Sequence, residues 1–87
     1  MYLHLGGDTI VRTEDITGIF DLDNATVSYR TREFLSYAQK NGKVVNVSDE
    51  LPKSFVICTE DNETIIYICQ LSPNTLIKRS EQELGGQ

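Results

Sequence analysis

Residues 53–71, KSFVICTEDNETIIYICQL, decide the fold, because two runs of β-branched and aromatic residues face each other there across one polar turn. Phe55 to Cys58 form one arm and Ile65 to Cys69 the other, with Glu60-Asp61-Asn62-Glu63 supplying turn residues that tolerate tight backbone angles. With Asp61 and Asn62 at the centre, Glu60 pairs with Glu63, Cys58 with Ile65, Ile57 with Ile66 and Val56 with Tyr67. Side chains alternate along a strand, so this register puts Val56, Cys58, Ile65, Tyr67 and Cys69 on one face and Phe55, Ile57, Ile66 and Ile68 on the other. Both faces are apolar. A hairpin on the surface of a monomer would keep one face polar, so these strands are expected to be covered twice, once by the domain's own helix and once by something else.

Working outward, Tyr2–Leu5, the turn Gly6-Gly7-Asp8 and Thr9–Arg12 read as a first hairpin. Thr13 is placed to cap one helical turn through Asp15, after which Ile16 to Leu22 resumes an extended pattern in which Gly18 marks a bulge or a close backbone approach. Residues 27–41, VSYRTREFLSYAQKN, form the main helix, with Val27, Thr31, Phe34, Leu35 and Ala38 on one side at helical spacing. Ser28 is its N-cap and Asn41-Gly42 its stop, since glycine accepts the left-handed conformation that ends a helix. A short strand, Val44–Val47, and the loop Ser48-Asp49-Glu50-Leu51-Pro52 lead into the central hairpin. Beyond it Ser72 caps a helix beginning at Pro73, with Leu76, Ile77 and Leu84 on its apolar side. The reading is α+β: a small β-rich domain of antiparallel hairpins with one main amphipathic helix and a short C-terminal helix. Residues 1–80 make one domain and 81–87 a disordered tail.

At 87 residues a single core is barely sufficient, so self-association would add stability. Phe55, Ile57, Ile66 and Ile68, with Tyr67 from the opposite face, are the candidate contact residues of a homo-oligomer. A hydrophobic fraction of 39% with 24% charged residues is ordinary for a globular protein, and no apolar run reaches the roughly 18 residues that cross a bilayer. The opening MYLHLGGD has neither the basic start nor the apolar core of a signal peptide, which points to the cytoplasm and to two reduced, buried cysteines. One histidine, His4, and no CxxC spacing give no zinc ligand set, and Asp21-Leu22-Asp23-Asn24 reads as a turn rather than a calcium loop. No nucleophile, base and orienting group come together, so neither an enzyme nor a cofactor is expected. Eight Lys and Arg stand against 13 Asp and Glu, for a formal charge of −5, which excludes a generic polyanion-binding surface and leaves room only for a local patch. Four acids and no base fall between Glu14 and Asp23, whereas Lys78 and Arg79 are adjacent.

Five blocks, MYLHLGGDTIV, DITGIFDLDN, TREFL, ELPKSFVI and LSPNTLIKRS, in this order and spacing, closely resemble the bacterial Rem family, the extracellular matrix regulatory proteins, and within it the B-type branch. The resemblance covers residues 1 to about 80. It implies a small DNA-binding transcriptional regulator that promotes biofilm matrix gene expression in bacteria. It also implies a fold similar to the LytTR type of β-rich DNA-binding domain and, as in the A-type branch, protomers arranged in a ring that displays arginines to double-stranded DNA. A ring would account for a hairpin apolar on both faces.

The sequence departs from the A-type pattern where contact matters most. The arginine that precedes the third strand in that branch falls at about Asp15, and the arginine pair before the central hairpin falls near Glu50 and Leu51, with only Lys53 basic there. Candidate DNA-binding residues are therefore Lys53, Arg12, Lys78 and Arg79, repeated around the assembly. The alternative is a protein-interaction module of the same fold that has lost DNA binding and acts through a partner regulator, a reading favoured by the charge of −5.

Overall fold

The computed structural model describes residues 1–22 and 28–85, with side chains through residue 81. In chain order the strands β1 (Tyr2–Gly6) and β2 (Thr9–Arg12) are followed by a 3-10 turn (Thr13–Asp15), β3 (Ile16–Asp21) and helix α1 (Tyr29–Lys40). Strands β4 (Val44–Asn46), β5 (Ser54–Glu60) and β6 (Glu63–Cys69) precede helix α2 (Pro73–Gly85). The strands form a two-stranded ribbon, β1-β2, and a four-stranded sheet in the order β3-β5-β6-β4. Asp23, Asn24 and Val27, to which the sequence assigns a turn and a helix face, lie outside the described residues.

The central hairpin adopts the register its turn chemistry dictates. Asp61 and Asn62 take φ of 50° and 68°, the left-handed pair of a two-residue hairpin turn, and Glu60 faces Glu63, Cys58 faces Ile65 and Ile57 faces Ile66. Strand β3 then adds antiparallel to β5, with its ladder shifted between Ile16 and Gly18. The reason for glycine is steric. A Cβ at position 18 would sit 2.5 Å from Phe20 Cε2, and that ring is stacked on Phe55 with centroids 5.1 Å apart.

The two faces of the hairpin separate as the alternation requires, but the same chain covers both. On one face Val56, Cys58 and Cys69 are buried with Leu3, Leu5 and Val11 of the ribbon and Leu76 of α2. On the other, Phe55 and Ile66 are buried with Ala38 of α1, flanked by Leu22, Leu35, Val44 and Ile57. The expectation that one face awaits an outside partner is thereby corrected: the ribbon and α2 supply the second cover. Phe55 and Ile66, at 3% and 0% exposure, lie within the core of the single chain, which removes both from the expected contact residues of an oligomer.

Four local expectations also change. Strand β4 pairs parallel to β6, so the sheet is mixed rather than purely antiparallel; three residues carry too little pattern to announce a direction. Thr13 opens the 3-10 turn rather than capping it, and its hydroxyl donates to the Met1 carbonyl at 3.4 Å. Ser28 makes no side-chain cap bond. Ile77 is 44% exposed while Leu76 is fully buried, and Leu84 lies outside the described side chains. The remaining punctuation holds. Ser72 Oγ accepts from the Thr75 amide at 3.2 Å, and at the end of α1 the amides of Gly42 and Lys43 donate to Gln39 and Ala38, with Gly42 at φ 69°.

Both cysteines are free and fully buried. Burial pushes the Cys58 thiol up to about 12, helped by the nearby Glu60 and Asp15 carboxylates, and the Cys69 thiol up to about 11 against a lowering hydrogen bond from Ser54. A thiol held protonated in the fold and freer to ionise in the unfolded chain supports folding below about pH 9 and loses that support as pH rises toward 11 and 12. Native protein is therefore expected to resist thiol alkylation at pH 8, to react at two sites in denaturant, and to lose thermal stability steeply between pH 9 and 11. Rapid labelling of the native chain, read by mass, would contradict the packing of these strands.

Candidate nucleic-acid interface

Lys53 is set by the backbone on both sides. Its amide donates to the Cys69 carbonyl at 2.8 Å and its carbonyl accepts from the Leu22 amide at 3.0 Å, so the residue extends β5 by one position between β3 and β6 while its side chain is exposed. The loop before it is braced by Ser48, whose hydroxyl donates to Gln70 Oε1 at 2.9 Å and accepts from the Glu50 amide at 3.1 Å. Glu50 is exposed and Leu51 is 83% exposed, so an acid and a leucine stand in solvent beside Lys53.

Arg12 is in a different electrostatic position. Its Nη2 donates to Glu14 Oε2 at 3.0 Å and its Nε lies 4.0 Å from Asp15 Oδ2, while the N-terminal ammonium sits 3.9 Å from Glu14 Oε1. The hydrogen bond from Arg12 and then its charge hold the Glu14 carboxyl below the usual range, and the same contacts raise Arg12. A phosphate reaching this guanidinium competes with two carboxylates already beside it. Exposed pairs of this kind add little to stability, but they cancel the local positive potential on which phosphate contact depends.

Lys78 and Arg79 follow the anchor Leu76 on α2. At about 100° per residue Lys78 points away from the core and is exposed, whereas Arg79 lies on the flank and is half-buried. The four basic candidates do not converge within one chain. Lys53 precedes the Ser54 end of β5 while Arg12 adjoins the turn next to its Glu60 end, and seven strand residues at roughly 3.4 Å each put them about 20 Å apart.

Of the expected contact residues other than Phe55 and Ile66, three are half-buried. Tyr67 donates its hydroxyl to Glu60 Oε2 at 2.6 Å, and burial, followed by that bond to the carboxylate, raises the phenol well above its ordinary value. Ile57 lines a groove of about 260 Å³ with Phe20, Arg30, Thr31, Phe34 and Phe55, and Ile68 lines one of about 340 Å³ beside Asn46, Ser48 and Pro52. A concavity of about 540 Å³ escaped the sequence reading. Its lining is Tyr2, His4, Ile10 and Arg12 from the outer face of the ribbon, the core residue Val11, and Asp15 and Glu60. The signal was present in the alternation of β1 and β2, which turns Leu3, Leu5 and Val11 inward and therefore Tyr2, His4, Ile10 and Arg12 outward.

Among the described residues no group of three or more His, Cys, Asp or Glu could hold a metal ion, and no helix is long and apolar enough to cross a membrane. Two comparisons with known proteins bear on this surface. The family described as RemA-like, extracellular matrix regulatory protein A-like, matches residues 2–79. Extracellular matrix regulatory protein B of Bacillus subtilis (strain 168) is 42% identical over 81 residues, which cover 93% of this chain and 91% of that protein.

Proposed function

Because the chain belongs to the RemA-like family of extracellular matrix regulatory proteins, we propose that it is an oligomeric regulator of transcription that binds double-stranded DNA through Lys53, repeated on each protomer of a ring, with Lys78 and Arg79 in support. The observation that carries this reading is the presentation of Lys53: a solvated ammonium on a residue whose amide and carbonyl are both tied into the sheet. A contact held at a fixed place in each subunit adds across copies, so one weak phosphate interaction per protomer becomes useful affinity by multivalency. Arg12 has a smaller part than the sequence suggested, since Glu14 and Asp15 already engage it. The architecture is proposed to be of the LytTR-like class, and the cell compartment to be the cytoplasm, where DNA is accessible.

The second reading, a module that acts through a partner regulator, is favoured by one observation. Two of the three positions that carry arginine in the A-type branch hold acids here, and Asp15 is turned toward Arg12. Titration of duplex DNA from the upstream region of a matrix operon separates the two. Direct binding is expected at low salt, with log affinity falling linearly against log salt at a slope of several units, one for each phosphate engaged. No detectable binding at low salt by an assembled protein transfers the function to the partner reading.

A further inference from the structure

We infer that the groove on the outer face of the β1-β2 ribbon receives the aromatic and basic face of α1 from a second copy of the chain, in a head-to-tail contact; this rests on the proposed assembly and names the surfaces that build it. Among the described residues, five of the ten exposed large apolar side chains lie at these two places. Tyr2 and Ile10 stand 60% and 49% exposed at the groove, while Tyr29, Phe34 and Tyr37 stand 73%, 41% and 70% exposed on α1. On the helix, Arg30, Phe34 and Tyr37 follow at three- and four-residue spacing and form one stripe, which Tyr29 and Lys40 extend at either end.

Charge complements shape. Asp15 and Glu60 line the groove; Asp15 lies 4.0 Å from Arg12, which also pairs with Glu14, and Glu60 accepts the Tyr67 hydroxyl, so the local balance of Arg12, Glu14, Asp15 and Glu60 is negative. The stripe offers Arg30 and Lys40 against the single acid Glu33. A cation flanked by aromatic rings, entering a cleft lined by apolar side chains and carboxylates, is well matched there.

Topology decides that the match is made between copies. The ribbon packs on the Val56-Cys58 face of the central hairpin and α1 on the Phe55-Ile66 face, so the sheet separates a chain's own helix from its own groove. Surfaces that are unlike each other and lie on opposite sides of a protomer make a heterologous contact, which propagates until rotation closes it.

The test is a pair of half-disabled chains followed by light scattering, with no DNA present, so that it fails or succeeds apart from the DNA-binding reading. Ile10→Lys spoils the groove and Tyr37→Glu spoils the helix, both at exposed positions that leave the fold intact by circular dichroism. Each variant alone is expected at the monomer mass of 9.8 kDa, and an equimolar mixture is expected at about 20 kDa, one good groove holding one good helix. Tyr2→Lys and Arg30→Glu provide a second pair. The inference is overturned if the parent is monomeric at micromolar concentration, if either variant assembles like the parent, or if the mixture stays monomeric.

Discussion

Ile66→Lys is expected to abolish the folded state, whereas Tyr67→Lys, one residue along, leaves a folded chain of reduced stability. Ile66 is fully buried between Ala38 and Phe55, and removing it forfeits about 3 kcal/mol of burial before the cost of an ammonium in that core, which is several kcal/mol more. A chain of 87 residues has roughly 4 to 13 kcal/mol in all, so the substitution consumes most or all of it. Position 67 differs in its surroundings. Tyr67 is half-buried and its hydroxyl reaches Glu60, so a lysine there can extend its ammonium to the same carboxylate. Thermal unfolding followed by near-ultraviolet circular dichroism distinguishes them: no cooperative transition for the first, a lowered one for the second. A cooperative transition within a few degrees of the parent for Ile66→Lys would refute the two-sided core.

Lys53→Glu is expected to eliminate DNA binding without altering fold or mass. The substitution replaces a positive charge by a negative one in every protomer at once, and a multivalent contact loses by the product of its parts, on the order of a hundredfold or more. The fold is spared because what position 53 gives to the sheet is its amide and carbonyl, not its side chain. Lys43→Gln, which removes an ammonium 3.4 Å from Glu63, is the matched control and should leave affinity within a few-fold. An unchanged salt slope for Lys53→Glu would show that the phosphates are held elsewhere, and Lys78 would then be the first residue to examine.

The parts legible in the sequence share a cause. The central hairpin could be read because Asp61-Asn62 admits only a short left-handed turn and because arms of equal length leave one register. Gly18 and Gly42 were legible because each answers a local constraint, a ring overhead in one case and a helix end in the other. What covers the second face of the hairpin was not legible, although Leu3, Leu5 and Val11 alternate plainly. Alternation shows that a ribbon has an inner face and is silent about which distant strands it meets. The direction of β4 failed for the same reason, since its bonds, Ile66 amide to Lys43 carbonyl and Val47 amide to Ile68 carbonyl, join segments about twenty residues apart. At the candidate site, Lys53 came from the family resemblance rather than from charge pattern. The pairing of Arg12 with Glu14 was missed because it forms where β2 gives way to the 3-10 turn at Thr13, a junction whose side-chain directions the strand and helix periods do not specify.

The manner in which Lys53 and its loop are held has a consequence for how such regulators diverge. The segment keeps its shape through the amide and carbonyl of residue 53 and through Ser48, and the side chains of Glu50 and Leu51 stand in solvent. Positions 50, 51 and 53 can therefore exchange base for acid or leucine with almost no penalty in stability. Selection on this proposed nucleic-acid surface is thereby uncoupled from selection on the core, and if the proposal holds, paralogues can drift toward new operators, or away from DNA altogether, on an unchanged scaffold.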